Sequence, residues 1–141
     1  MRVPDANILL YASDTSTSHH SAARDWIERA LSAAETVGFA IVVLLGFVRI
    51  ATNPRVMAAP LTPAEAFDQV EEWLAQPPGT VLHPGRRHLG VWRELVEASG
   101  TAGNLTTDAH LAALAIEHGA TLASFDGDLH RFGGLELEYL G

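Results

Sequence analysis

The sequence predicts an α/β fold with a central parallel sheet flanked by helices. Two observations carry this. Short apolar runs of strand length alternate with longer segments of helical spacing from one end to the other, the pattern of a parallel sheet covered on both faces. The chain's 141 residues suit one domain over 1–141, and its 48% hydrophobic content is enough to bury a core.

The elements follow in order. "MRVPD" reads as a short strand that runs at once into a helical "ANILLYA". "TSTSHHSAARDWIERALSAAE" opens with Ser and Thr caps and then places Ala22, Trp26, Ile27, Ala30 and Leu31 at helical spacing. "GFAIVV" has the length and β-branched content of a buried strand, and "LLGFVRIATNP" a helix with Leu44, Phe47, Val48 and Ala51 on one side, ended by Pro54. In "TPAEAFDQVEEWLAQPPG", Thr62 is a cap, Pro63 the first helical residue, Glu65 the partner in a capping box, and Pro77-Pro78 the stop. "TVLHP" is a strand and "GRRHLGVWRELVEASG" an amphipathic helix closed by Gly100. "TDAHLAALAIEHG" is the next helix and "ATLASFD" the next strand, and "LELEYL" alternates as a last strand at an edge.

Composition excludes several classes. There is no cysteine, so disulfides and thiolate metal sites are ruled out. The net charge is −8, and all nine basic residues are arginines, which makes the chain a poor non-specific nucleic-acid binder. Without lysine there is neither a Schiff base nor a Walker-type phosphate loop. The start lacks the pattern of a signal peptide, and no apolar run approaches the roughly 18 residues of a membrane span, so a cytoplasmic protein is expected.

In parallel sheets ligands bind beyond the carboxyl ends of the strands. Asp5 follows the first strand, Asp126 follows "TLASF", and Asp108 lies in the first turn of a helix, where its dipole favours a carboxylate. Taken singly, each has a plainer reading: Asp5 as a cap of "ANILLYA", Asp108 as a helix N-terminal charge, "DGD" as a solvated turn. If the two strands are neighbours, all three acids meet in one crevice. Close like charges repel, and oxygen-only ligands select a hard divalent ion, magnesium or manganese.

On "PDANILLYA", "FVRIATNPRV" and "LTTDAHLAALAIEHGATLASFDGDLHRF", the chain resembles the PIN-domain proteins, in particular the VapC toxin branch of toxin–antitoxin systems. The resemblance covers nearly the whole length and is most specific in the last motif. It implies a metal-dependent ribonuclease cutting RNA with magnesium or manganese, blocked by a small cognate antitoxin, and pairing as a homodimer or as a heteromer with that antitoxin. By position, Asp5, Asp108 and Asp126 match the family's first, third and fourth acids. Asp128 falls at an accessory acid, and Asn104 and Thr106/Thr107 in a loop that shapes the site. The departure is at the second acid, a glutamate in the family: Gly46 stands there, and no Asp or Glu occurs between Glu35 and Asp68.

The resemblance thus implies that Asp5 and Asp108 hold the main ion, with Asp126 binding directly or through water. Arg49, Arg55, Arg86 and Arg87 are candidates for phosphate contacts, whereas Arg24, Arg29 and Arg93 read as ordinary ion pairs. His19, His20, His110, His118 and His130 read as surface or capping residues, and Trp26, Trp73 and Trp92 as core or dimer contacts. An alternative is a catalytically weakened module of the same fold that holds RNA or a protein partner, with Gly46 as its mark. A phosphoacceptor receiver domain also gathers acids at strand ends but relies on a lysine, and this chain has none.

Overall fold

The computed structural model describes residues 1–100, 103 and 105–141. Five strands form one parallel sheet: β1 (Arg2–Pro4), β2 (Val37–Ala40), β3 (Gly79–Leu82), β4 (Thr121–Ser124) and β5 (Glu136–Tyr139). Their spatial order is β3-β2-β1-β4-β5, with Arg2 level with Val37 on one side and with Thr121 on the other. Six α-helices connect them: α1 (Ala6–Ser13), α2 (His20–Ser32), α3 (Ile41–Ala51), α4 (Pro63–Ala75), α5 (His88–Ser99) and α6 (Leu105–Glu117). A 3-10 helix, Gly127–Arg131, precedes β5.

The chain order reverses between β1 and β4. The first two crossovers carry the chain one way across the sheet and the third carries it back, so right-handed connections put α1–α4 over one face and α5–α6 over the other. Helix packing follows: α1 lies on α2 and α3, α3 on α4, and α5 on α6. A gap therefore opens at the carboxyl ends of β1 and β4, where the helices leave for opposite faces. That is where a doubly wound sheet places its ligand.

Two expectations are corrected. The run "GFAIVV" is not all strand, because β2 stops at Ala40 and α3 begins at Ile41. A short apolar run has no periodicity to separate a buried strand from a buried helix, and here tertiary packing makes the choice. On α2 the buried alanine is Ala23 and not Ala22, with Trp26, Ile27 and Ala30 beside it. The capping box of Thr62 and Glu65 forms as read (Glu65 N–H to Thr62 Oγ1, 3.1 Å; Thr62 N–H to Glu65 Oε1, 2.9 Å). Gly100 ends α5 with φ +70°, a left-handed conformation that glycine adopts without steric cost.

The core sits between sheet and helices. On the α3–α4 side, Trp73 stacks on Phe39 with centroids 6.1 Å apart and meets Phe47 edge-on at 5.0 Å. Rings of that size each contribute about 1.5–3 kcal/mol by leaving water. α6 is apolar nearly all round (Ala109, Leu111, Ala112, Ala113, Leu114 and Ala115 are buried), as a helix embedded in the fold must be. Edge strand β5 carries two glutamates, and Glu138 Oε2 accepts hydrogen bonds from Arg2 Nη1 at 2.9 Å and Trp26 Nε1 at 3.0 Å. Charge on an edge deters pairing with a further strand.

Candidate active site

Asp5 leaves the end of β1 and caps α1: its Oδ1 accepts the Ala6 N–H at 2.7 Å. Its Oδ2 accepts from the Ser124 hydroxyl at 2.7 Å and, more weakly, from Asn7 Nδ2 at 3.4 Å. Ser124 ends β4 and is fully buried. Its oxygen also accepts from Asn7 Nδ2 at 3.0 Å and from the Asp126 N–H at 2.9 Å. Asn7 Oδ1 closes the network by accepting the Phe125 N–H at 3.2 Å. One hydroxyl thus bolts the ends of β1 and β4 together, with an acid on either side. The plain capping role of Asp5 and its place in the crevice coexist, since one carboxylate has four lone-pair sites.

Burial is the largest influence on Asp5 and pushes its carboxyl above the usual range; the bonds from Ser124 and Ala6 oppose this, and the Asp126 charge adds to it. Asp108, in the first turn of α6, is raised as well, first by burial and then by the charges of Asp5 and Asp126, with Arg131 opposing and Asp128 adding. The charge of Asp126 thus bears on both Asp5 and Asp108, and that of Asp5 on Asp108. Asp126 caps the 3-10 helix, taking the Asp128 N–H at 2.9 Å, and Asp128 itself is exposed.

Among the described residues no three carboxylates or imidazoles are drawn into a ready-made metal cage. Asp5 and Asp126 instead have oxygens engaged by donors of the protein, Asp5 by the Ala6 N–H and the Ser124 hydroxyl across the sheet, and Asp126 by the Asp128 N–H. The donor set nevertheless fits a hard divalent cation. It is all oxygen, and burial, with neighbouring carboxylates, disfavours the charged forms of Asp5 and Asp108, which a cation would offset.

A cleft of about 370 Å³ extends from these acids, lined by Asp5, Thr107, Asp108, Gly46, Arg49 and Leu111 among others. The departure at Gly46 therefore faces the same space as the acids. A Cβ there would meet only the Ala6 Cβ, at 3.6 Å, an ordinary contact. Arg49 stands where the cleft adjoins an apolar trough between α3 and α4 that includes exposed Ile41, Leu45 and Phe67. Arg49 is exposed and makes no ion pair among the described residues. Arg55 lies past the end of α3, its N–H on Asn53 Oδ1 at 2.9 Å. Arg86 and Arg87 stand at the far end of α6 from Asp108, where Arg87 donates to the Glu117 carbonyl at 3.1 Å, so neither lines the cleft. Asn104 lies outside the described residues.

Three residues next to the acids were missed by sequence reasoning. Asn7 and Ser124 carry the network that joins β1 to β4, and their only signal was polarity inside apolar runs. Arg131, the cation facing Asp108, stands three residues beyond Asp128 in "DLHRF". One expectation is also corrected: His110 is no surface residue but is half-buried, its Nδ1 2.8 Å from the Nε2 of buried His88. Burial pushes both imidazoles below the usual range.

The sequence pattern of the PIN domain matches residues 2–135. Ribonuclease VapC37 of Mycobacterium tuberculosis is 45% identical over 135 residues, which cover 96% of this chain and 94% of that protein. Ribonuclease VapC33 of the same species is 43% identical over 136 residues, covering 96% and 95%. Among solved structures, VapBC2 from Rickettsia felis bound to a promoter DNA fragment superposes with a TM-score of 0.72 at 18% identity, covering 98% of this chain and 97% of that one. VapC20 of Mycobacterium tuberculosis, a toxin that cleaves the sarcin-ricin loop, superposes with a TM-score of 0.68 at 17% identity, covering 96% and 99%.

Proposed function

The chain belongs to the PIN-domain family, and from that premise we propose that it is the toxin of a toxin–antitoxin pair, an endoribonuclease that hydrolyses RNA phosphodiesters with a divalent metal. The observation that carries this reading is the gathering of Asp5, Asp108 and Asp126 near the carboxyl ends of the paired strands β1 and β4, with Asp5 and Asp108 both raised by burial and by neighbouring carboxylates.

Asp5 and Asp108 would hold a magnesium or manganese ion, with Asp126 binding directly or through water. When bound, the ion supplies a more acidic water and offsets charge on the phosphodiester. The chain's own residues do the rest. Ser124 and Asn7 aim Asp5 into the crevice and, through the bond to Oδ2, favour its ionised form. Arg49, free of ion pairing among the described residues, binds a substrate phosphate at the rim, and the Thr107 hydroxyl offers a polar wall beside Asp108. Arg55 is close enough in sequence to extend that contact along the strand of RNA. Asp128 tunes the crevice by charge from its mouth. We assign it to the cytoplasm, where its proposed RNA substrate would be met; no helix among the described residues is long and apolar enough to cross a membrane. We further assign it a small cognate antitoxin and a homodimeric or antitoxin-bound state.

The test is cleavage of RNA by the purified chain with magnesium, with manganese and with chelator. Metal-dependent cleavage lost in Asp5→Asn and Asp108→Asn supports the reading; a wild-type chain that binds neither ion and cuts no RNA removes it. Gly46 favours a second reading, the weakened module that holds RNA or a protein without cutting, and RNA retention without cleavage is its signature.

A further inference from the structure

We propose that a clamp on α5, made of Trp92 and His88, is a positioning device for Asp108 and thereby sets the metal affinity of the crevice. The inference rests on the nuclease reading above.

Thr106 and His110 are four residues apart and share one face of α6. Asp108 lies midway between them and projects from the opposite face, as the helical repeat of about 3.6 residues requires. Both residues of the rear face are gripped by α5. The Trp92 indole N–H donates to the Thr106 carbonyl at 3.0 Å, and His88 Nε2 meets His110 Nδ1 at 2.8 Å. The rings interlock as well: His110 stands edge-on to His88 at 4.6 Å and to Trp92 at 5.4 Å between centroids, while His88 and Trp92 stack at 5.9 Å.

The protonation pattern is fixed by a buried atom. His88 Nδ1 has no hydrogen-bond partner among the described residues. Buried N–H groups without a partner are rarer than under-satisfied acceptors, which favours the His88 hydrogen on Nε2, donated to His110 Nδ1. The bond has one direction, from α5 to α6. A single directed bond behind the acid, with a second from Trp92 one turn away, resists rotation of the first turn of α6.

That rotation is what matters for a metal ligand. A carboxylate stands roughly 5–6 Å from the helix axis, so a turn of about 10° moves it by roughly 1 Å. Misplacement of that size is enough to lose up to about 100-fold in a positioned reaction. A clamp on the rear face therefore governs the front face without touching substrate.

The experiment uses the full chain, with manganese affinity measured by calorimetry and RNA cleavage measured across manganese concentration. Trp92→Phe keeps an aromatic ring beside His88 and His110 and removes the N–H together with part of the indole's contact area. It is expected to weaken manganese binding about 5–10-fold and to lower kcat at limiting metal with recovery at saturation, leaving KM for RNA unchanged. His110→Leu is expected to do the same, and His110→Asn, whose amide can place an acceptor near the Nδ1 position, to restore affinity to within about 2-fold of wild type. Variants that lower only the melting temperature, with metal affinity and kcat untouched in an active enzyme, overturn the clamp alone. A wild-type chain that neither binds manganese nor cleaves RNA overturns the nuclease reading and the clamp together.

Discussion

Replacing Gly46 by alanine should stabilise this protein, and the size of the effect can be worked from its surroundings. Gly46 lies inside α3, where glycine is less favourable than alanine by about 1 kcal/mol. The added methyl would meet Ala6 Cβ at 3.6 Å, a van der Waals contact that pushes nothing aside. A chain of this length has an unfolding entropy of about 0.3 kcal/mol/K near its midpoint, so a gain of about 1 kcal/mol appears as a rise of roughly 3 °C in thermal unfolding followed by circular dichroism. A fall in melting temperature would refute the account of the space around residue 46. Gly46→Glu carries the argument to the chemistry. A carboxylate there joins Asp5 and Asp108 in the cleft, so the metal-free protein should lose stability to like-charge repulsion and regain it with manganese. The manganese-induced rise in melting temperature should exceed that of wild type; an equal rise would refute the claim that position 46 faces the ion.

Asp108→Asn should lower RNA cleavage by at least about 100-fold, since a metal-ligand carboxylate supports several kcal/mol of transition-state stabilisation, yet raise the melting temperature of the metal-free chain. The sign follows from the raised carboxyl of Asp108. A folded-state value above the unfolded one gives stability that is fully present below the ordinary carboxylate range and is lost as pH rises through the raised value. The stability gap between Asp108→Asn and wild type, from denaturant unfolding in chelator, should therefore be wide at neutral pH and narrow on acidification. Ser124→Ala removes the hydroxyl shared by Asp5, Asn7 and Asp126 and should cost about 1–3 kcal/mol in denaturant unfolding, as expected when buried partners lose their bond. Thr62→Ala breaks the capping box of α4, whose two residues do not line the cleft of the acids. It should cost about 1 kcal/mol of stability with RNA cleavage unchanged in a gel assay.

How much was legible in the sequence depended on whether the signal was local. The capping box of α4 and the glycine closing α5 are written in neighbouring residues and were read correctly. The start of α3 was not, because nothing local separates Ala40 from Ile41; neither a side-chain cap nor a turn residue marks the junction. Asp5 and Asp126 could be placed at strand ends, and the sheet order could be anticipated only as a condition, that their strands be neighbours. β1 and β4 do pair. The supporting network stayed hidden because Asn7 and Ser124 are ordinary polar residues until a contact across 117 positions joins them. The His88–His110 bond, between two helices, was invisible for the same reason.

The placement of β1 in the middle of the sheet also has a consequence in time. Asp5 leaves the ribosome well before its Ser124 partner, which lies 119 positions later. At about 5–20 residues per second, that gap lasts roughly 6–24 s. For that interval the first acid has no opposing wall, and β1 can pair only with β2. In a chain ordered in this way the crevice is assembled only once β4 has arrived, so the first acid waits for its opposing wall through most of synthesis.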